Sequence, residues 1–339
     1  MTLEERKVPC TWLDKPIQQF AEQMRGGTLP HAMLVCGARG IGKHQFVDRV
    51  VRLALCLAPV EDAACGECKA CRLVEGGLHA DLRYLQPEDK STQIKIDAIR
   101  ASAAFAAKSA FLGARKVVVI SPADAMNINA SNALLKTLEE PSLGTLLILM
   151  TDSLGGLLPT IRSRCQRVDL SGPTQDQAIN WLQQMPAAKN LPADELALSL
   201  QLSQGAPFTA LEYLDQNLID EQKSMLAELA QVLKRTQPST EAALHWSDEW
   251  IQYRLSWMIH WLEQAVRSSY SGNEKDIYLD TSRNMFSYIV NNAGLHSLFD
   301  LRDRCIKELR LLKGTSNPNK QLLWESLLSE WLQLMVKRR

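Results

Sequence analysis

The stretch Gly37-Ala-Arg-Gly-Ile-Gly-Lys-His44 decides how the fold of this chain is interpreted. Gly37, Gly42 and Lys43 fit a phosphate-binding loop, in which Gly, four residues and Gly-Lys are followed by Ser or Thr. In such loops backbone amides surround the phosphates, the lysine neutralises their charge, and the hydroxyl helps to hold Mg²⁺. His44 stands at the hydroxyl position, and neutral imidazole is a poor ligand for Mg²⁺. The loop therefore has the form of a nucleotide site without one of its metal ligands.

The residues around this loop predict a parallel α/β sheet. An apolar run ends at Cys36, as a buried strand should, and the residues from Lys43 to Cys56 have the spacing of an amphipathic helix. Strands alternating with helices are typical of parallel sheets. Further buried strands are predicted at 116–120 and 146–150, and further helices at 92–107 and 127–140.

A second position of the expected metal site is also altered. The acidic residues that hold the metal and polarise water should follow the strand at 116–120, but Ser121 and Pro122 stand there. Asp124 lies three residues too late for a simple replacement. Two losses in one site predict that the chain does not hydrolyse ATP, while binding without turnover stays open because Lys43 remains. The rival hypothesis is an ATPase in which His44 and Asp124 form an unusual metal site.

Four cysteines lie within sixteen residues and follow the pattern C-x8-C-x2-C-x2-C: Cys56, Cys65, Cys68 and Cys71. Each C-x2-C step lets two thiolates reach one tetrahedral zinc ion. Four thiolates leave no open coordination position, so the pattern predicts a structural zinc site. A disulfide pair and an iron–sulfur cluster are the alternatives.

The composition changes near residue 171, and convincing strands end there. Short helical segments broken by prolines and glycine extend to about residue 214, and the rest of the chain reads as helical. Tryptophans at helical spacing lie in this last part, at 246, 250, 257 and 261. Apolar neighbours widen the same face, which favours a helix core over base stacking. The predicted domains are therefore 1–170, with the cysteine insert at 56–71, then 171–214 and 215–339.

Composition and charge limit the possible functions. Lys plus Arg equals Asp plus Glu, at 38 each, so no global basic field attracts nucleic acid. The N-terminal residues lack the order of a signal peptide, and no apolar run approaches the roughly 20 residues that span a bilayer. We expect a cytoplasmic protein without a membrane partner. Any contact with DNA must come from a local patch or from a partner.

The ordered motifs taken together resemble those of one known family. GARGIGK, the cysteine insert, Asn132-Ala-Leu-Leu-Lys-Thr-Leu-Glu-Glu-Pro141 and Ser163-Arg164-Cys165 are similar to the clamp-loader branch of the AAA+ ATPases. The match covers residues 29–170 closely. The fold it implies is an AAA+ sheet module, a small helical lid and an all-helical collar, that is, α/β plus all-α.

The resemblance also implies roles for particular residues. Arg164 would be an arginine finger that reaches into the ATP site of a neighbouring subunit, and the four cysteines match the family's zinc module. Thr151 matches the position that senses the γ-phosphate in active members. The stretch Gly205–Phe208 lacks the arginine that contacts phosphate in active relatives, which makes ATP binding by this chain doubtful.

The function implied is that of a non-hydrolysing subunit of the DNA polymerase III clamp loader, within a polymerase holoenzyme. Its expected partners are the clamp-loader ATPase subunits, a delta-type subunit, the sliding clamp and, through the complex, primed-template DNA. Two alternatives stay open. One is a magnesium-dependent AAA+ ATPase, and the other is a stand-alone zinc and DNA-binding module.

Overall fold

A computed structural model of the chain describes residues 8–88, 91–271, 280–313 and 318–334. The chain divides into two compact units, Met1–Gln216 and Asn217–Arg339. The first unit holds the sheet and the helices that surround it, and the second is helical where it is described. The predicted boundaries at residues 171 and 215 stay predictions, and the last residues of the predicted third domain lie outside the described ranges.

The sheet of the first unit has five strands, and every strand pair in it is parallel. This finding confirms the predicted parallel α/β architecture. The three strands expected from apolar runs are fully buried, because helices cover both faces of a parallel sheet. The strands are β1 Ala32–Cys36, β2 Leu82–Leu85, β3 Lys116–Ile120, β4 Thr145–Thr151 and β5 Gln166–Asp169.

Two strands, β2 and β5, were not predicted from the sequence. The order β2-β3-β4-β1-β5 places them at the two edges of the sheet. Their side chains are half-buried or exposed, so neither strand carries the continuous apolar run that marks a buried strand. Because β2 and β5 lie at the edges of the sheet, their sequences do not have the pattern that predicted the central strands.

The helices of the first unit pack on both faces of the sheet. Phe46, Val47 and Val50 of the helix after the glycine loop are buried in one apolar core, and Leu134 and Leu138 lie in the core on the other face. The predicted helices are confirmed, with ends shifted by up to four residues. The helices are α1 Asp14–Arg25, α2 Lys43–Leu55, α3 Lys69–Glu75, α4 Ile96–Ala106, α5 Ile128–Glu139, α6 Pro159–Arg162, α7 Gln175–Leu182, α8 Ala193–Leu202 and α9 Pro207–Asp215.

Local chemistry sets the ends of α5, which carries part of the family motif. The Asn127 side chain accepts the N–H of Ala130 at 2.8 Å and caps the N-terminus. Pro141 follows the last turn and cannot continue the helical hydrogen bonds. The helix therefore ends at Glu139, and the side chains of Glu139 and of the following Glu140 are both exposed.

The second unit is built from helices around a tryptophan-rich core. Trp246, Trp257 and Trp261 are buried, as the prediction of a helix core requires, whereas Trp250 is half-buried. The prediction of a single helical face is wrong, because Trp246 follows one helix and Trp257 and Trp261 lie in the next. The Trp324 indole N–H donates to the Trp246 carbonyl at 2.7 Å, and the two rings meet edge to face. The helices are α10 Leu218–Leu233, α11 Ser239–His245, α12 Ile251–Ser271, α13 Asp280–Ala293, α14 Leu295–Lys313 and α15 Lys320–Leu334.

Among the described residues, none of these helices has the length and apolar character needed to cross a membrane.

Candidate functional site

The glycine loop connects β1 to α2 at the carboxyl edge of the sheet. Gly40 and Gly42 have φ values of +76° and +103°, a backbone conformation that glycine adopts without the strain a side chain would cause. The neighbouring strand β4 ends at the same level, because Cys36 pairs with Thr151 in the parallel register. The residues that follow β4 therefore lie beside the loop.

Lys43, the first residue of α2, points into the loop and is only 6% exposed. Its Nζ donates to the carbonyl oxygens of Gly37 at 2.8 Å and Ala38 at 2.6 Å. A third contact, with Asp152 Oδ1 at 2.6 Å, is an ion pair. The positive charge expected to meet a phosphate is thus already surrounded by acceptors from the chain itself.

The N-terminal turn of α9 lies directly against the glycine loop. The backbone N–H of Phe208 donates to the Gly40 carbonyl at 2.9 Å. A methyl group at Gly40 would clash with the Thr209 hydroxyl, so only glycine allows this close approach. On the N-terminal side, the Trp12 indole N–H donates to the Ile41 carbonyl at 2.8 Å. Both flanking segments fix the loop in its present conformation.

His44 follows Lys43 in α2 and lines a cavity of about 620 Å³. Its pKa is lowered, first because the surrounding protein removes water and then because the Lys43 charge is close. The imidazole is therefore neutral at physiological pH and does not resemble the hydroxyl ligand of a magnesium site. Ser121, at the end of β3, also lines this cavity and offers a hydroxyl instead of a carboxylate.

Thr151, at the expected sensing position, is buried and engaged inside the chain. Its hydroxyl lies 2.8 Å from Asp124 Oδ1 and 2.9 Å from the Ser153 carbonyl, and it accepts the N–H of Ser153 at 3.1 Å. The single hydroxyl proton satisfies one of the two acceptors. Asp124, considered as a metal ligand in the rival hypothesis, therefore contacts the end of β4.

Arg164 follows α6 and stands at the protein surface, with 37% of its side chain exposed. Its Nη2 lies 2.8 Å from Glu139 Oε1, at the end of α5. Its Nη1 donates to the Thr160 carbonyl at 3.0 Å. The adjacent Cys165 is buried and holds the backbone against the core. The two family motifs are thus joined by the contact between Arg164 and Glu139.

The four clustered cysteines converge on a single point. Their sulfur atoms all lie within 4.8 Å of one another, with separations of 3.6, 3.9 and 4.0 Å for three of the pairs. A tetrahedral zinc site with Zn–S bonds of about 2.3 Å requires S···S distances of about 3.8 Å. A disulfide would require about 2.0 Å. The arrangement fits a tetrahedral metal site, and a zinc ion would be held by Cys56, Cys65, Cys68 and Cys71.

Backbone amides turn toward these sulfurs and favour the thiolate form. The N–H of Cys71 points at the Cys68 sulfur at 3.4 Å, and this bond with others lowers the Cys68 pKa to about 6. Burial instead raises the Cys71 pKa to about 12. A bound cation removes that penalty, because a coordinated thiol is deprotonated. The Gly66 φ of +78° lets the chain turn between Cys65 and Cys68.

Comparison with known proteins gives the family. A family model described as "DNA polymerase III, delta subunit" matches residues 12–174. DNA polymerase III subunit delta' of Pseudomonas aeruginosa is 33% identical over 94% of this chain and 97% of its own length. The chain belongs to the DNA polymerase III delta' family.

Other relatives agree with this membership. The delta' subunit of Haemophilus influenzae is 31% identical over 90% of this chain and 92% of its own length. DNA polymerase III subunit tau of Bacillus subtilis is 32% identical over 55% of this chain and 33% of its own length. With the parallel sheet and the helical second unit, membership in the delta' family confirms the predicted AAA+ fold class with a helical C-terminal part.

Sequence reasoning singled out Lys43, Arg164 and the cysteines but missed the residues that contact the two cations. Asp152 directly follows the end of β4, and Glu139 lies inside the quoted family motif. The sequence positions of both residues could therefore have indicated that they belong to the sites. The packing of Phe208 and Thr209 on Gly40 had no local signal. It depends on where α9 folds back in space.

Proposed function

We propose that this member of the delta' family is a non-hydrolysing subunit of a bacterial DNA polymerase III clamp loader. It assembles with the ATPase subunits and a delta-type subunit, and it supplies Arg164 in trans to the ATP site of a neighbour. In this role it helps to load the sliding clamp onto primed-template DNA. The names of its relatives place them in DNA polymerase III, and the resemblance of the motifs supports the clamp-loader role.

The observation that carries the proposal is the position of Arg164. Its guanidinium is at the surface, bound by one exposed carboxylate and one carbonyl, so a phosphate from another subunit can replace those contacts. A guanidinium gives fixed charge and a planar set of donors to developing phosphoryl charge. Nothing in that task requires an active site in the chain that donates it.

The state of the chain's own glycine loop supports the same proposal. His44 and Ser121 stand where a magnesium site needs oxygen ligands and a carboxylate, and Lys43 is engaged by Gly37, Ala38 and Asp152. A chain with this loop does not accelerate the hydrolysis of ATP bound there. Its AAA+ module serves to place Arg164 against a partner.

The test is DNA-stimulated ATP hydrolysis by the reconstituted complex with the Arg164→Ala chain. Loss of an arginine finger slows its site by roughly 10³–10⁵-fold in related phosphoryl transfer. We therefore expect ATP hydrolysis at the site completed by this chain to be nearly abolished. The total hydrolysis rate of the complex should fall by at least the contribution of that one site. Arg162→Ala is the matched control, since it removes an exposed arginine from the same segment. Size-exclusion chromatography shows that each complex is intact.

An unchanged rate for Arg164→Ala in an intact complex would overturn the proposal, as would an equal loss with Arg162→Ala. The ATPase alternative predicts magnesium-dependent turnover by the purified chain, abolished by Lys43→Ala. The DNA-binding alternative predicts tight, salt-sensitive DNA binding by the chain without partners. We expect neither, because the metal ligands are missing and the formal net charge is zero.

We also propose that the cysteine cluster binds one structural zinc ion. The support is the convergence of the four sulfurs at distances that fit a tetrahedral site. Elemental measurement on the purified chain should give about one zinc per chain, and Cys68→Ser should lower that value and the thermal stability. Cys10→Ala is the control, because burial raises the pKa of that thiol to about 12 and it lies outside the cluster. Visible absorbance from an iron–sulfur cluster, or absence of metal with oxidised thiols, would reject the zinc site.

A further inference from the structure

The sheet brings one carboxylate to the glycine loop. Strands β1 and β4 are neighbours, and Cys36 pairs with Thr151, so the residue after each strand lies at the same edge. Those residues are Gly37, the first of the loop, and Asp152. The Asp152 carboxylate lies 2.6 Å from Lys43 Nζ.

The burial of the two charged groups is unequal. Lys43 is 6% exposed, whereas Asp152 is 51% exposed. A buried ammonium group is costly unless it is paired and hydrogen-bonded. The carbonyls of Gly37 and Ala38 provide partial charges, and Asp152 provides the full negative charge in contact with Nζ. Loss of Asp152 would therefore leave a buried positive charge without its negative partner, whereas loss of Lys43 would leave a carboxylate that water can still solvate.

The role that Asp152 fills is that of a phosphate in a working loop. In such a loop the lysine meets the negative charge of the bound nucleotide. We infer that Asp152 is an internal anion that takes the place of a phosphate at Lys43 and excludes nucleotides and inorganic phosphates from the glycine loop. Asp152 is thus the residue that determines the binding specificity of this loop. This inference does not depend on the role of Arg164.

Packing around the loop keeps this arrangement in place. The N–H of Phe208 on the Gly40 carbonyl and the contact of Thr209 with Gly40 hold the loop from outside. Lys43 consequently has little room to turn toward water when its carboxylate partner is removed. An anion from solution becomes the remaining source of negative charge, and it can enter through the space beside the half-exposed Asp152 side chain.

The experiment measures thermal unfolding of the full chain with Asp152→Asn, which keeps the shape of the side chain and removes its charge. In sodium chloride this variant should melt below wild type. Inorganic pyrophosphate, and separately ADP, should restore its stability, with a melting temperature raised by roughly 5 °C at about 100 times the dissociation constant. Wild type should not respond, because Asp152 already occupies the place of the anion.

Three controls isolate the site. Sodium chloride at equal ionic strength separates anion binding from screening. Asp176→Asn removes another exposed carboxylate of the same unit and should not create a response to pyrophosphate. Adding Lys43→Met to Asp152→Asn should abolish the response, because no buried cation is left to pair.

Four results would overturn the inference. In the first, pyrophosphate stabilises wild type as much as the variant, and in the second, Asp152→Asn is destabilised but pyrophosphate does not restore its stability. In the third, Asp152→Asn is as stable as wild type and does not respond to pyrophosphate. In the fourth, the response to pyrophosphate remains after Lys43→Met is added. If the Asp152→Asn chain does not fold in chloride, refolding is compared with and without pyrophosphate. Recovery only with pyrophosphate supports the inference, and failure in both conditions rejects it.

Discussion

Lys43 in the glycine loop and Arg164 in the segment from Thr160 to Cys165 are both cations suited to phosphate, but their surroundings are opposite. Lys43 is 6% exposed and is bound by two carbonyls and a carboxylate from its own chain. Arg164 is 37% exposed and is bound by one carbonyl and an exposed carboxylate. The first cation is directed inward and the second is accessible from outside.

This contrast shows that an ion pair has different consequences at different depths. An exposed pair contributes about 0–1 kcal/mol, because water and salt compete for both partners. Breaking a pair around a buried charge costs several times more, since that charge is left without compensation. Glu139 can therefore give up Arg164 to a partner's phosphate at low cost, while Asp152 retains Lys43. An ion pair between a basic and an acidic side chain is thus exchangeable at the surface and fixed around a buried charge.

Among the variants that test this contrast, Arg164→Lys should have the largest effect, because it keeps the charge but removes the planar set of donors. Lysine is a point charge and does not reproduce bidentate contacts. We expect the site completed by this chain to slow by at least about 100-fold. Single-turnover ATP hydrolysis in the reconstituted complex measures the change. A rate near that of wild type would mean that charge alone suffices at this surface.

A smaller effect, on stability rather than on rate, is expected for Lys43→Met. The change removes the charged hydrogen bonds to Gly37 and Ala38 and should lower the free energy of unfolding by about 1–3 kcal/mol. ATP hydrolysis by the complex should stay within about twofold of wild type, because in the proposed function the loop takes no part in turnover. Urea unfolding and steady-state hydrolysis report the two quantities. Collapse of hydrolysis with Lys43→Met in an intact complex would remove the distinction between the two cations.

The next effect concerns the ion pair between Glu139 and Arg164. Glu139→Gln should raise the single-turnover rate of the complex by up to about fivefold at low salt, since Arg164 no longer has to leave a carboxylate. The gain should shrink at high salt, where the pair is already screened. Glu140→Gln, at the exposed neighbouring position, is the control. A fall in rate with Glu139→Gln would instead assign Glu139 a positioning role.

The smallest expected effect is that of His44→Thr. This change restores the hydroxyl of a phosphate-binding loop, but Ser121 still stands where a carboxylate is needed and Asp152 still pairs with Lys43. We expect no magnesium-dependent ATP hydrolysis by the purified variant above the wild-type background. Measurable turnover would show that the loop lacks only one hydroxyl, and the contrast with Arg164 would then be one of degree.

Much of the fold was accessible from the sequence because its signals are local. The strands β1, β3 and β4 are buried on both faces, so each had to be a run of apolar residues. The edge strands β2 and β5 were missed, because half-buried strands carry no such run. Three of the four tryptophans assigned to a helix core, Trp246, Trp257 and Trp261, are buried, but their helical spacing did not show that they belong to two helices.

The candidate sites divide in the same way. The sequence by itself determined the glycine pattern of the loop, the His44 at its hydroxyl position, the spacing of the four cysteines and the motif that holds Arg164. Each of these depends on residue types at short separations along the chain. Only the tertiary structure decided which carboxylate meets Lys43, which one meets Arg164, and that α9 packs against the glycine loop. Those contacts follow from the order of the strands and the packing of helices on them, which join residues far apart in sequence.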